Sequence, residues 1–132
     1  MALRWYSTVI ESTDHQALAR WWAEALQWDL VFATDAEAAV APPWGRQFAE
    51  DLRFEQVPPG LMFVPVPHAK VTKNRLHLDF APHSATDRDA EIGRLLDLGA
   101  TRVDVGQPTD ATWTVLADPE GNEFCVLSAR DR

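Results

Sequence analysis

The chain has 132 residues, 46% of them hydrophobic, with six Trp and six Phe, and its 12 Lys+Arg against 20 Asp+Glu give a formal net charge of −8. This length suits one domain that buries roughly two-thirds of its unfolded surface and needs no metal or disulfide staple. The acidic balance argues against nucleic-acid and anionic-membrane partners, which need clustered Lys and Arg, and the lone Cys125 excludes an internal disulfide or a Cys-rich zinc cluster.

Arg4 to Ser12 is rich in aromatic and β-branched residues and reads as a strand. It contains no apolar run ending in a small-residue cleavage site, and no segment of the chain approaches about 18 consecutive apolar residues, so a cytoplasmic location is expected. Thr13-x-x-Gln16 has the form of a capping box, and Leu18, Trp21, Trp22, Ala25 and Leu26 recur at helical spacing, which predicts an amphipathic helix over 14–26. Trp28 to Ala33 reads as a strand. Strand-like pieces follow around Ala38–Ala41 and Leu52–Val57, and Leu61 to Val66 is a further strand. The Pro content and poor periodicity of Asp35–Glu50, including Pro42-Pro43-Trp44, suggest a lid.

The second half repeats the order. Arg75 to Ala81 alternates with period two, Thr86-x-x-Asp89 resembles a cap, Ile92, Leu95 and Leu96 form a helix stripe, and Gly99 stands where a helix is expected to stop. Thr101–Val105, Trp113–Ala117 and Glu123–Leu127 read as three strands. The stretches 57–64 and 118–125 share Pro, Gly and Phe at equal offsets, which supports a duplication. The expected class is α+β, one domain of two tandem βαβββ modules over about 1–68 and 72–129.

The chain resembles the vicinal oxygen chelate superfamily, specifically the small proteins of the glyoxalase, bleomycin-resistance and extradiol-dioxygenase group. The residues that carry the resemblance are Thr13-Asp14 before ARWWAEALQW (19–28), Lys73-Asn74-Arg75-Leu76-His77-Leu78-Asp79, Leu98-Gly99-Ala100-Thr101, and the ADPEGNEF stretch over 117–124. The resemblance implies two βαβββ modules whose curved sheets form a cup, commonly in a homodimer, with a divalent metal held by the outer strands of each module. The corresponding ligand positions are Ser7, Val64, His77 and Cys125, where relatives carry His or Gln, Glu, His and Glu; only His77 matches. No cofactor is therefore expected. Imidazole and carboxylate donors suit such an ion, whereas Val64 has no lone pair and a neutral Ser7 is a poor ligand.

Because alternate residues of a strand share a face, the cup is expected to be lined by Trp5, Ser7, Val9, Glu11, Val64, His77 and Cys125, with Asp79 and Glu123 on the same faces as His77 and Cys125. His77 suits a general acid or base oriented by a carboxylate, so His77, Asp79 and Glu123 are the candidate catalytic residues. His77, Cys125 and Glu123 also have structural alternatives: a hydrogen-bonded histidine, a small buried cysteine, and a Glu123 that pairs with an Arg or caps the Asn122 turn. The expected function is binding of a small organic molecule in the cup. The protein is then either a sequestering protein or a metal-independent lyase or isomerase with His77 in proton transfer. The alternatives are a metal-dependent lyase or dioxygenase of the superfamily and a pure interaction module.

Overall fold

The computed structural model describes residues 3–47 and 50–132, which form two compact units dividing between Ala69 and Lys70. The first contains β1 (Ser7–Ser12), α1 (His15–Leu26), β2 (Asp29–Ala33), β3 (Ala38–Ala41), the short α2 (Pro43–Gln47), a 3-10 turn over Phe54–Gln56 and β4 (Gly60–Pro65). The second contains β5 (Leu78–Phe80), α3 (Arg88–Leu98), β6 (Thr101–Arg102), β7 (Thr114–Ala117) and β8 (Glu123–Val126). Strand, helix, three strands thus occurs twice. The pairing repeats too: the sheets run β1-β4-β3-β2 and β5-β8-β7-β6, and in each the first and last strands of the module pair in parallel. The class is α+β with two four-stranded mixed sheets.

In the first unit Asp14, rather than the expected Thr13, caps α1, because its carboxylate accepts the Ala17 N–H at 3.2 Å. Leu18, Ala19, Trp22 and Ala25 form the buried stripe, and the helix packs chiefly against β2, β3 and β4. The register pairs Thr8 with Leu61, Ile10 with Phe63, Ala38 with Phe63 and Val40 with Leu61, so these residues share the helix-side face. Ala38, Val40 and Phe63 are fully buried there. Ser7, Val9, Glu11, Met62 and Val64 lie on the opposite face by alternation. His15 is also buried, and its Nε2–H donates to the Thr34 carbonyl at 2.6 Å, which ties the helix start to the β2–β3 turn.

In the second unit Asp87 caps α3 by accepting the Ala90 N–H, so the cap lies between the expected Thr86 and Asp89. Arg88 then anchors the helix to its sheet, donating to the Leu127 and Val126 carbonyls at 2.8 Å and to Thr114 Oγ1 at 2.9 Å. Thr114, Leu116, Phe124, Val126, Leu78 and Phe80 share that face by register, and Phe80 meets Phe124 edge to face at 6.0 Å. Both long helices stop alike. Gly99 N–H bonds Leu96 O and Ala100 N–H bonds Leu95 O; Gln27 N–H bonds Glu24 O and Trp28 N–H bonds Ala23 O. The left-handed residue is the expected Gly99 in α3 but Gln27, at φ 56°, in α1.

Several expected strands are shorter or absent. Leu52–Val57 is a loop with the 3-10 turn, because Arg53 and Gln56 close on each other: the Arg53 N–H meets Gln56 Oε1 at 2.9 Å and the Gln56 N–H meets Arg53 O at 2.8 Å. The strand expected over Thr101–Val105 ends at Arg102, since Asp104 Oδ1 takes the Gly106 N–H and Gln107 Oε1 takes the Val105 N–H. Within Asp35–Glu50, read from sequence as a lid, β3 is an interior strand paired with both β2 and β4, and Trp44 packs edge-on against Trp28 at 6.1 Å. Phe48 and Ala49 of that segment lie outside the described residues. Among the described residues no helix is long and apolar enough to cross a membrane.

Candidate functional site

The chemistry concentrates where β5 and β8 run side by side. The register of β8 on β7 is set by the turn between them, in which Asp118, 2% exposed, accepts the backbone N–H groups of Glu120 and Asn122 on Oδ1 and the Asn122 side-chain amide on Oδ2. Gly121 sits in this turn at φ 87°, a conformation that glycine adopts without a Cβ penalty. In the parallel β5–β8 pair Asp79 stands opposite Cys125. The side chains of both project from the face turned away from Thr114 and Arg88.

There His77 Nε2 lies 3.2 Å from Asp79 Oδ1, with the two side chains 46% and 49% exposed. The Cys125 sulfur lies within 4.8 Å of the same carboxylate, and the residue is only 6% exposed. One donor atom from each residue falls within 4.8 Å of the others. Burial pushes the Cys125 thiol above its usual range, and the neighbouring Asp79 carboxylate pushes it further in the same direction, against a smaller opposing pull from Lys73. The sulfur is therefore a protonated donor near neutrality. It is not poised as a thiolate nucleophile.

Glu123 lies on the same face but is engaged elsewhere. Its Oε1 takes a hydrogen bond from Lys70 Nζ at 3.1 Å, its Oε2 takes the Asn74 N–H at 3.1 Å, and Asn74 Nδ2 reaches its carbonyl. Burial, the largest single influence, raises its carboxyl, but the Asn74 and Lys70 bonds together outweigh it and hold the group below its ordinary value. The effect is to pin the 70–77 segment that leads to His77. This also explains why β5 starts at Leu78, three residues later than the sequence pattern suggests: Asn74 bonds Glu123 in place of a ladder partner.

The first module offers a different set. Phe63 and Phe124 each follow their turn glycine by three residues and face Ile10 and Leu78 respectively, so Val9, Glu11 and Val64 are the register equivalents of His77, Asp79 and Cys125. Ser7 stands opposite Gly60, at the far end of β1 from the Glu11–Val64 pair. Trp5 precedes the strand and is 65% exposed. Ser7, Val64, His77 and Cys125 therefore present a hydroxyl, an isopropyl group, an imidazole and a raised-pKa thiol, and this set does not fit the divalent ion that the resemblance implies. A wide, shallow depression of about 580 Å³ along Arg20, Glu24, Trp28 and Leu30 contains none of these groups.

Sequence reasoning missed the partners of Glu123, since Lys70 and Asn74 lie 53 and 49 residues from it and no local pattern links them. It also did not pair Cys125 with Asp79, which the β5–β8 register places opposite each other.

The strand order and paired modules are those of the glyoxalase, bleomycin-resistance and dioxygenase fold, and solved structures bear this out. A glyoxalase/bleomycin resistance protein/dioxygenase family enzyme from Burkholderia phytofirmans PsJN superposes with a TM-score of 0.70 at 13% identity, over 97% of this chain and 100% of that one. A glyoxalase-related enzyme from Fulvimarina pelagi gives 0.63 at 18% identity over 93% and 86%. The bleomycin-binding protein from bleomycin-producing Streptomyces verticillus, solved with copper(II)-bleomycin, gives 0.56 at 16% over 97% and 99%. The sequence itself matches the glyoxalase-like domain family over residues 7–127, and the chain belongs to that family. No curated protein matches it by sequence.

Proposed function

We propose that the chain binds a small organic molecule against the β5–β8 face of its second module and that His77 moves a proton on it, as a metal-independent lyase or isomerase of the glyoxalase-like type. The observation that carries this reading is the His77–Asp79 pair at 3.2 Å, half open to solvent and backed by the buried Cys125 thiol. With Nε2–H donated to Asp79, the other ring nitrogen, Nδ1, is left as the acceptor for a ligand proton. The imidazolium formed is stabilised by the Asp79 carboxylate and returns the proton to a neighbouring atom of the ligand or to a leaving group. The buried Cys125 thiol backs this pair from the neighbouring strand. In this reading the protein works as a cytoplasmic homodimer, the assembly that the family resemblance implies.

The test is a metabolite screen by ligand-observed NMR, followed by turnover assays on the hits. His77→Gln is expected to keep ligand affinity while turnover falls about 10²- to 10⁴-fold. Unchanged turnover sinks the proton-transfer role. Ligands that bind wild type without turnover leave a sequestering protein; the bleomycin-binding protein of the same fold was solved with its ligand bound.

A second reading rests on the three donors within 4.8 Å. His77, Asp79 and Cys125 would then hold a borderline ion such as Zn²⁺, whose bonds of about 2.0–2.3 Å require donors only slightly closer together. It predicts stoichiometric metal in the purified protein and a thermal shift on adding Zn²⁺, both lost in His77→Ala. Metal content below about 0.1 equivalent with no thermal shift eliminates it.

A further inference from the structure

We infer that the helix-distal face of the first module's sheet selects a small aromatic or aliphatic carboxylate, with Arg4 as the anion anchor, an inference that rests on the reading of that face as part of the ligand cup. A cavity of about 250 Å³ opens on the sheet face turned away from α1, lined by Arg4, Tyr6, Phe32, Ala39, Pro58 and Met62 among others. Sequence choices keep it hollow. Ala39 stands opposite both Met62 and Phe32 in the register, so its methyl leaves space between two large side chains. Two wall positions accept only glycine: a Cβ on Gly60 would stand 2.9 Å from the Val40 carbonyl oxygen, and one on Gly45 would stand 2.8 Å from Pro58 Cγ.

Among the described residues Arg4 supplies the only charge in this lining. Its guanidinium carbon lies 4.7 Å from the Tyr6 ring centre and 4.8 Å from that of Phe54, so the plane is fixed from two sides and partly stripped of water. Of its five N–H donors one makes a long bond, from Nη1 to the Phe54 carbonyl at 3.4 Å. Nε is buried without a partner, and no carboxylate pairs with Arg4 among the described residues, although the chain has 20 Asp and Glu. A rigid, under-satisfied guanidinium at an apolar cavity matches a ligand with one carboxylate and a compact hydrophobic body. The volume lies just below the usual range for drug-sized pockets, which sets the ligand at about two fused rings.

The test compares 2-naphthoate with its uncharged isostere 2-naphthamide on the whole chain by calorimetry and fluorescence. Wild type is expected to bind the acid about 10- to 100-fold more tightly than the amide, the range of a charge-assisted hydrogen-bonded pair. Arg4→Gln should erase that preference, Arg4→Lys should keep part of it, and Ala39→Phe should abolish binding of both by filling the cavity. Equal affinities for acid and amide on wild type overturn the proposal without recourse to any variant. A preference that survives in a folded Arg4→Gln, or absence of binding at millimolar ligand, overturns it as well.

Discussion

Replacing Glu123 by Gln removes a charge while preserving shape, and tests whether this residue is the anchor of the segment that presents His77. The carboxylate accepts Lys70 Nζ and the Asn74 N–H, each at 3.1 Å. Hydrogen bonds to a charged group contribute about 1.5–3 kcal/mol each. Lys70 is 23% exposed and Glu123 only 11%, so the ion pair is partly screened and belongs near the lower end of that range. Gln can accept one of the two bonds but turns its NH₂ toward the other donor, so the expected loss is about 2 kcal/mol. For a domain of this size that moves a urea midpoint down by about 1 M.

The pH dependence has a definite sign. The folded-state carboxyl is held below its ordinary value of 4.5, so its contribution is complete above that value and disappears as pH falls through the depressed folded-state value. The amide that replaces it does not titrate. The stability gap between wild type and E123Q should therefore be full at pH 7 and close progressively below about pH 4. Urea melts followed by tryptophan fluorescence at pH 7, 5, 4 and 3 measure it. A gap under about 0.5 kcal/mol at pH 7, or one that is the same at pH 3, refutes the anchor.

Two further outcomes concern Cys125 and Gln27. Cys125, buried and with its thiol raised, should react with iodoacetamide at pH 7.5 at least about tenfold more slowly in the native chain than in urea, and Asp79→Asn, which removes the carboxylate charge that raises it, should speed the native reaction; equal native rates in the two proteins would contradict the Asp79 contact. Gln27→Gly places the residue suited to φ 56° at the end of α1 and should raise stability by about 0.5–1 kcal/mol, read as an increase of a few degrees in Tm, whereas a decrease would show that the Gln27 side chain makes a contact worth more than the backbone strain.

The parts of this protein that were legible in the sequence are those governed by short-range periodicity. Leu18, Trp22 and Ala25 announce a helix because about 3.6 residues make a turn, and Gly99 announces its end because few other residues tolerate that backbone. The Pro-x-Gly turns at 58–60 and 119–121 mark the last strand of each module. Where side chains compete with the sheet for backbone bonds, the pattern misleads: Gln56 and Gln107 each close a local loop that alternation alone reads as strand. At the site, the shared face of His77 and Asp79 was legible from alternation, but the engagement of Glu123 was not, because its partners come from 49 and 53 residues away.

By itself the sequence determined the element order, the duplication and the lack of a carboxylate at positions 64 and 125, since each is a property of residue identity and local spacing. Only the tertiary structure decided which groups meet. Pairing β5 with β8 brings the Cys125 thiol under Asp79 and Asp79 beside His77, and the loop holding Phe54 closes over Arg4, 50 residues earlier. The physical reason is that strand register and loop closure are settled by packing over the whole module, and a pKa or a hydrogen bond belongs to the neighbours that this packing supplies.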